Sequence, residues 1–263
     1  MLKDITLGQY FPGTTLAHRL DPRTKILAVV CYIVAVFNCH SAWAYGLMVL
    51  TLIVSARVSR VGAKALLRGL KPVLFIIAFT AVLNLFYTPG TVLWSWRFLR
   101  ITREGAVMAA SMMTRITLLI TGTFLLTYTT SPIQLTDGLE SLLNPLKKLR
   151  VPVHELAMMM SIALRFIPTL IEETDKIMSA QKARGADFES GGLVRRARAL
   201  IPLLVPLFVS AFRRADELAT ALECRCYHGG DGRTKLHVLH YEIRDYAVLA
   251  LYLALAVGVI VLD

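Results

Sequence analysis

Five stretches of this chain are apolar over lengths approaching the thickness of a bilayer, and they restrict a 263-residue chain that is 56% hydrophobic to very few folds. Inside hydrocarbon a backbone must satisfy its own hydrogen bonds, so runs of this kind read as helices. The expected spans are residues 26–37 extended to their flanks, then 42–54, 72–87, 105–128 and 246–262. The first two are short, and Asn38-Cys39-His40-Ser41 between them reads as the tip of a tight, tilted hairpin. No signal peptide is expected, since the first 25 residues are polar. The fold class is therefore an all-α integral membrane protein with about five transmembrane helices and a further domain of long helices outside the bilayer.

Charge orients these spans. Arg57, Arg60, Lys64, Arg68 and Lys71 sit in one loop without an acid, which places residues 55–71 in the cytoplasm by the positive-inside rule. The N-terminal segment, with Arg19, Arg23 and Lys25, falls on the same side two spans earlier. Residues 88–104 are then external, although Arg97, Arg100 and Arg103 make that loop more basic than the rule prefers. Residues 129–245 return to the cytoplasm, and a last span leaves Asp263 outside. Three regions result: 1–128 with the first four spans, a cytoplasmic domain over 129–245, and a final span over 246–263. The net charge of +11 does not imply nucleic acid, because acids nearly balance bases in the long cytoplasmic segment. Much of the excess lies in the 55–71 loop, where it serves orientation and anionic headgroups. Cys31, Cys39, Cys224 and Cys226 form no disulfide pattern and are expected as free thiols.

The cytoplasmic segment carries the most information. Thr130-Ser131-Pro132 caps a helix with Leu135, Leu139, Leu142 and Leu143 on one face, which Asn144-Pro145 ends. A second helix runs from near Pro152 to Arg184, about 45 Å at ~1.5 Å per residue. Its first half is apolar on nearly every face. After Pro168, which should bend it, the helix turns polar with Glu172, Glu173, Asp175 and Lys176. Gly185 and then Ser190-Gly191-Gly192 end it and let the chain reverse. The return helix, about 193–225, has a basic start, an apolar middle interrupted by Pro202 and Pro206, and a polar end. Neither apolar middle looks like an independent span, since each is short of ~20 residues and holds proline. Met158, Met159, Met160 and Met178, with Met108, Met112 and Met113, are either plain core or an adaptable surface for more than one partner.

Both long helices run into an arginine and stop. Aligning Arg184 on Arg225 (225 − 184 = 41) superposes Asp175 on Asp216 and Ala180 on Ala221, so each helix ends as Asp-x4-Ala-x3-Arg. The surrounding tips are Ala183-Arg184-Gly185 and Glu223-Cys224-Arg225-Cys226. A protein with two similar partners would present the same helix tip twice. The plain alternative is two helix-terminal cations facing water, favourably placed against the helix dipole.

In this order the residues resemble the transmembrane T component of energy-coupling factor (ECF) transporters. The resemblance is carried by Gly8-Gln9-Tyr10-Phe11-Pro12-Gly13, by His18-Arg19-Leu20-Asp21-Pro22-Arg23-Thr24-Lys25, and by Thr129-Thr130-Ser131-Pro132. It continues in Leu164-Arg165-Phe166-Ile167-Pro168, in Ala180-Gln181-Lys182-Ala183-Arg184-Gly185 and in Ala221-Leu222-Glu223-Cys224-Arg225-Cys226-Tyr227. It extends along most of the chain. One departure is that Cys224 and Cys226 flank the second arginine where family members often carry Ala and Gly. The resemblance implies a non-catalytic scaffold in the bacterial inner membrane. It would hold a substrate-binding membrane S component and two ABC-type ATPase subunits, for uptake of vitamins or metal ions. Its two arginine-ended coupling helices would dock in grooves on the ATPases, where the planar guanidinium can pair with a carboxylate. ATP would be bound by the partners and no cofactor by this chain, in which no Gly-x4-Gly-Lys-Ser/Thr loop occurs.

The remaining candidates carry less. Cys224, Cys226 and His228, with His237 and His240, suggest zinc, but Cys-x-Cys on a helix sets the sulfurs about 200° apart, so no metal site is expected. Arg115 lies deep in the fourth span, either as a functional charge or as a structural link satisfied by Thr114, Thr117 and nearby carbonyls. Asp21-Pro22 reads as an N-cap with proline at the first helical position. The rival classes are a secondary transporter with its own site, which would want more intramembrane charge, and a lipid-modifying membrane enzyme, which would want clustered acids or histidines.

Overall fold

A computed structural model of the chain describes residues 10–96, 99–186, 188, 192–229 and 238–263. Its helices are α1 (Leu16–Arg19), α2 (Pro22–Phe37), α3 (Ala42–Val58), α4 (Ala63–Leu70), α5 (Leu74–Tyr87), α6 (Arg103–Thr129), α7 (Pro132–Leu143), α8 (Val153–Ala183), α9 (Leu193–Cys224) and α10 (Ile243–Leu262). Two compact units form, one from Gly8–Ser141 with Val238–Asp263 and the other from Leu142–His237.

The first unit is a multi-pass membrane bundle. α2 and α10 pack along each other, and α6 lies against α2, α3, α4 and α5. The core joins Tyr32, Val36 and Cys39 to Tyr45 and Met48 of α3, Leu118 of α6, and Ala256 and Val259 of α10. Burial from water does not drive helices together inside hydrocarbon; close packing does, and small residues permit it. Gly122 of α6 shows this: a Cβ there would lie 2.5 Å from the Tyr32 ring, so only glycine lets α6 approach α2. The outward residues are as apolar as the core. Phe75 and Phe79 of α5 and Leu50 and Ile53 of α3 are exposed, a surface that suits lipid as solvent.

Helix ends lie where local chemistry puts them. Asp21 caps α2 by accepting from Arg23 N at 2.9 Å, with Pro22 at the first turn. Ser131 and Gln134 form a reciprocal capping box on α7, through Gln134 N to Ser131 Oγ at 3.3 Å and Ser131 N to Gln134 Oε1 at 3.2 Å. A 3-10 turn over Asn144–Leu149 ends α7 as Asn144-Pro145 requires. The third span is longer than residues 72–87. α4, a 3-10 turn over Lys71–Val73 and α5 run on as one 25-residue helix, Ala63–Tyr87, because Pro72 sits in the first turn of the 3-10 segment and loosens the helix without ending it.

Two features depart from the expected pattern. Residues 88–104 are not a plain loop: β1 (Val92–Trp96) and β2 (Leu99–Thr102) pair antiparallel, with Trp94 opposite Ile101 and a bulge between Val92 and Trp94. The β-branched and aromatic residues at alternate positions here favour a pleated strand. Second, alongside α6, α10 and the continuous α4–α5 helix, the 31-residue α8 is also long and apolar enough to cross a membrane. Glu172, Glu173, Asp175 and Lys176 confine its apolar part to residues 153–171, which still contains Glu155 and Arg165.

Polar clusters close the first unit at both ends of α2. At its start the buried Asp245 carboxylate accepts from Asp21 N at 2.9 Å and Glu242 N at 2.8 Å, while Lys25 Nζ donates to His18 O at 3.2 Å and Thr129 O at 3.0 Å. A lysine on the last carbonyls of α6 satisfies acceptors that the helix leaves open. At the other end the Asp263 side chain accepts from His40 N at 2.5 Å and Ser41 N at 2.7 Å, ahead of α3.

Candidate functional site

The two arginine tips lie in the second unit and have the same backbone design. At the end of α8, Arg184 is the C-cap, Gly185 takes φ +87°, Gly185 N donates to Lys182 O at 3.0 Å, and Ala186 N donates to Gln181 O at 3.0 Å. At the end of α9, Arg225 is the C-cap, Cys226 takes φ +52°, Cys226 N donates to Glu223 O at 2.8 Å, and Tyr227 N donates to Leu222 O at 3.0 Å. Each is a Schellman motif with its 5→2 and 6→1 hydrogen bonds. Cys226 thus adopts the left-handed setting that Gly185 supplies in the first tip, and the cysteine does not disturb the backbone around Arg225. Ala183, Arg184, Gly185, Glu223, Cys224, Arg225 and Cys226 are all exposed. With carbonyls of the last turn satisfied by the motif, each tip presents an exposed guanidinium.

α8 and α9 pack antiparallel. Glu173 accepts from the Ser210 hydroxyl and from Arg214 NH2 at 3.0 Å, and Gln181 Nε2 donates to Pro202 O at 3.4 Å. The last contact has a specific cause. Proline at position 206 lacks the N–H that would bond Pro202 O four residues back, and Gln181 takes up that carbonyl from the neighbouring helix. Pro168, Pro202 and Pro206 are all exposed inside continuous helices. Arg184 and Arg225 are not brought together. Each lies 11 residues beyond the Glu173–Arg214 pair on its own helix (184 − 173 and 225 − 214), towards opposite ends of the antiparallel pair.

Sequence reading did not single out Gln181, Ser210 or Arg214 as linked to the tips. The signal that could have found one of them was the proline itself, whose orphaned carbonyl four residues back needs a donor. Arg115 is in the other unit, where its NH2 donates to Cys39 O at 2.7 Å and its guanidinium lies 6.0 Å from the Tyr45 ring centre. Its partner is thus the carbonyl end of α2, not Thr114 or Thr117. Cys224 and Cys226 are free thiols; His237, Ser190 and Gly191 lie outside the described residues. Among the described residues no three His, Cys, Asp or Glu side chains gather as metal ligands would.

Residues 13–236 match the family model CbiQ, described as cobalt transport protein. An energy-coupling factor transporter transmembrane protein EcfT of Acidaminococcus fermentans is 55% identical over 260 residues, covering 97% of both chains. The EcfT of Ruminiclostridium cellulolyticum is 51% identical over all of this chain and 98% of its own, and that of Bacillus subtilis is 49% identical over 97% of each. A family model matched over residues 13–236 and relatives about half identical along the whole length place this chain in the EcfT family of energy-coupling factor transporter transmembrane proteins.

Proposed function

We propose that this chain is the transmembrane scaffold and coupling subunit of an ECF-type importer. It passes ATP-driven motion of two ABC-type ATPase subunits to a substrate-binding S component that takes up a vitamin or metal ion. The observation that supports this most is the repeated tip: two exposed arginines in one backbone motif, at the ends of two packed helices. Each guanidinium enters a groove on one ATPase and pairs with a carboxylate there. Closure of the ATPases on ATP moves the tips, and the paired helices carry the motion to the membrane bundle, with Pro168, Pro202 and Pro206 setting the direction in which each helix points. In this reading 129–245 and the basic 55–71 loop face the cytoplasm, in the bacterial inner membrane, and ATP is bound and hydrolysed by the partners. The rival, a secondary transporter, would rely on Arg115, whose NH2 donates to Cys39 O just beyond α2 while its Nε is buried without a hydrogen-bond partner among the described residues.

The test is retention of the ATPases. Arg184→Glu with Arg225→Glu sets an anion against each groove carboxylate, and losing a buried charged contact costs about 2–5 kcal/mol per site. The double variant should insert normally yet release both ATPases on purification. Pull-down at the wild-type ratio would remove the coupling role from these residues.

A further inference from the structure

Glu173 and Arg214 are 41 residues apart, the same separation that superposes Arg184 on Arg225, so the contact joins equivalent positions of the two helices. Two antiparallel helices related by a two-fold axis meet their own equivalents at that axis. An exact repeat would set like charges face to face there. This chain instead has Glu172-Glu173 in one copy and Arg213-Arg214 in the other, and Ser210 corresponds to Thr169 (210 − 41 = 169). Opposite charge has arisen at the position where a two-fold most needs it. The Glu173 and Arg214 side chains are 21% and 37% exposed and Glu173 accepts from both Ser210 and Arg214, while the Arg214 Nε is buried without a hydrogen-bond partner among the described residues.

We infer that Glu173, Ser210 and Arg214 are positioning residues: they form the fulcrum of α8 and α9 and so set the distance between the two arginine tips. Each tip extends 11 residues from that point, about 16 Å at ~1.5 Å per residue. A rotation of ~20° at the fulcrum moves one tip by about 6 Å. The arms are not equal in stiffness. Gln181 ties the Arg184 arm to α9, whereas its equivalent is Leu222, whose side chain cannot donate a hydrogen bond. The consequence for transport rests on the docking reading above; the effect on tip spacing does not.

The experiment is a spin-label distance measurement on the full chain in lipid nanodiscs. Labels go on Ser179 and Thr220, exposed equivalent positions, after the four native cysteines are replaced. Glu173→Arg, which opposes two cations at the fulcrum, should broaden the distribution and move its centre by about 3 Å or more, since the labels lie only six residues from the fulcrum (179 − 173); Glu173→Gln, which keeps the hydroxyl partner, should broaden it less. The exchange Glu173→Arg with Arg214→Glu should restore the original distribution. In the complete complex, uptake per ATP should fall in Glu173→Arg and return in the exchange, with both ATPases bound throughout. An unchanged distribution in Glu173→Arg overturns the proposal, and so does an exchange that stays as broad as Glu173→Arg. Failure of the docking reading would show separately, as ATPases retained by the Arg184→Glu, Arg225→Glu chain whatever the distances do.

Discussion

Cys226 has a side chain in the left-handed backbone region that Gly185 fills without one in the other helix. A Cβ there crowds the adjoining carbonyl and costs about 1–2 kcal/mol, so the second tip keeps its motif against a penalty that the first avoids. Cys226→Gly should therefore strengthen the end of α9 by about 1 kcal/mol, and Gly185→Ala should weaken the end of α8 by a similar amount. No atom lies within 4 Å of a Cβ built at Gly185, so the loss there would be conformational, not a clash. Amide exchange reads both: Tyr227 N–H should exchange about fivefold more slowly in Cys226→Gly, and Ala186 N–H about fivefold faster in Gly185→Ala. Equal rates before and after would mean the Schellman bonds do not limit opening of the tips.

One proline defect in the long helices is met from the neighbouring helix. Pro206 leaves Pro202 O without an intrahelical donor, and Gln181 of α8 supplies one at 3.4 Å. This predicts a non-additive pair. Gln181→Ala should cost about 0.5–1.5 kcal/mol in the native chain, and close to nothing after Pro206→Ala, which restores the N–H within α9. Thermal unfolding of the four chains in one detergent gives the coupling energy, and a value near zero would show that the contact is incidental. The same packing shortens the lever. α8 is held by Ser210 and Arg214 at Glu173, so the stretch beyond that point runs 11 residues to Arg184 (184 − 173) and not the 16 from Pro168 (184 − 168), with Gln181 tied to Pro202 O within it.

Over the membrane unit, contacts distant in sequence decide integrity. Asp245 opens the last helix and accepts from Asp21 N, 224 residues earlier, while its other oxygen accepts from Glu242 N. Asp245→Ala strands the buried Asp21 amide and the part-buried Glu242 amide and removes an anion that acts on Lys25, and a stranded buried group costs about 1–3 kcal/mol. A total loss of about 2–5 kcal/mol is expected, with Asp245→Asn retaining part of it. Chemical denaturation in detergent measures this, and an unshifted midpoint in Asp245→Ala would show that α10 is held by apolar packing alone.

The chain's local chemistry was enough to place most helix starts and stops, though not the extension of the third span through α4 or the strand pair after it. Apolar runs defined the spans, Asp21-Pro22 and Ser131-Pro132 started helices, and Arg184-Gly185 ended one, because capping and helix hydrogen bonds join residues no more than a few positions apart. The paired tips were readable for the same reason, as was the family. The tertiary structure decided which polar groups meet across the bundle: Arg115 with Cys39 O, Asp245 with Asp21, Glu173 with Arg214. Composition cannot assign such partners, since any buried charge needs one but its identity depends on which helices pack and in what register. Cys226 is the intermediate case, where the repeat placed the residue and only the folded tip showed that a cysteine takes a glycine's conformation.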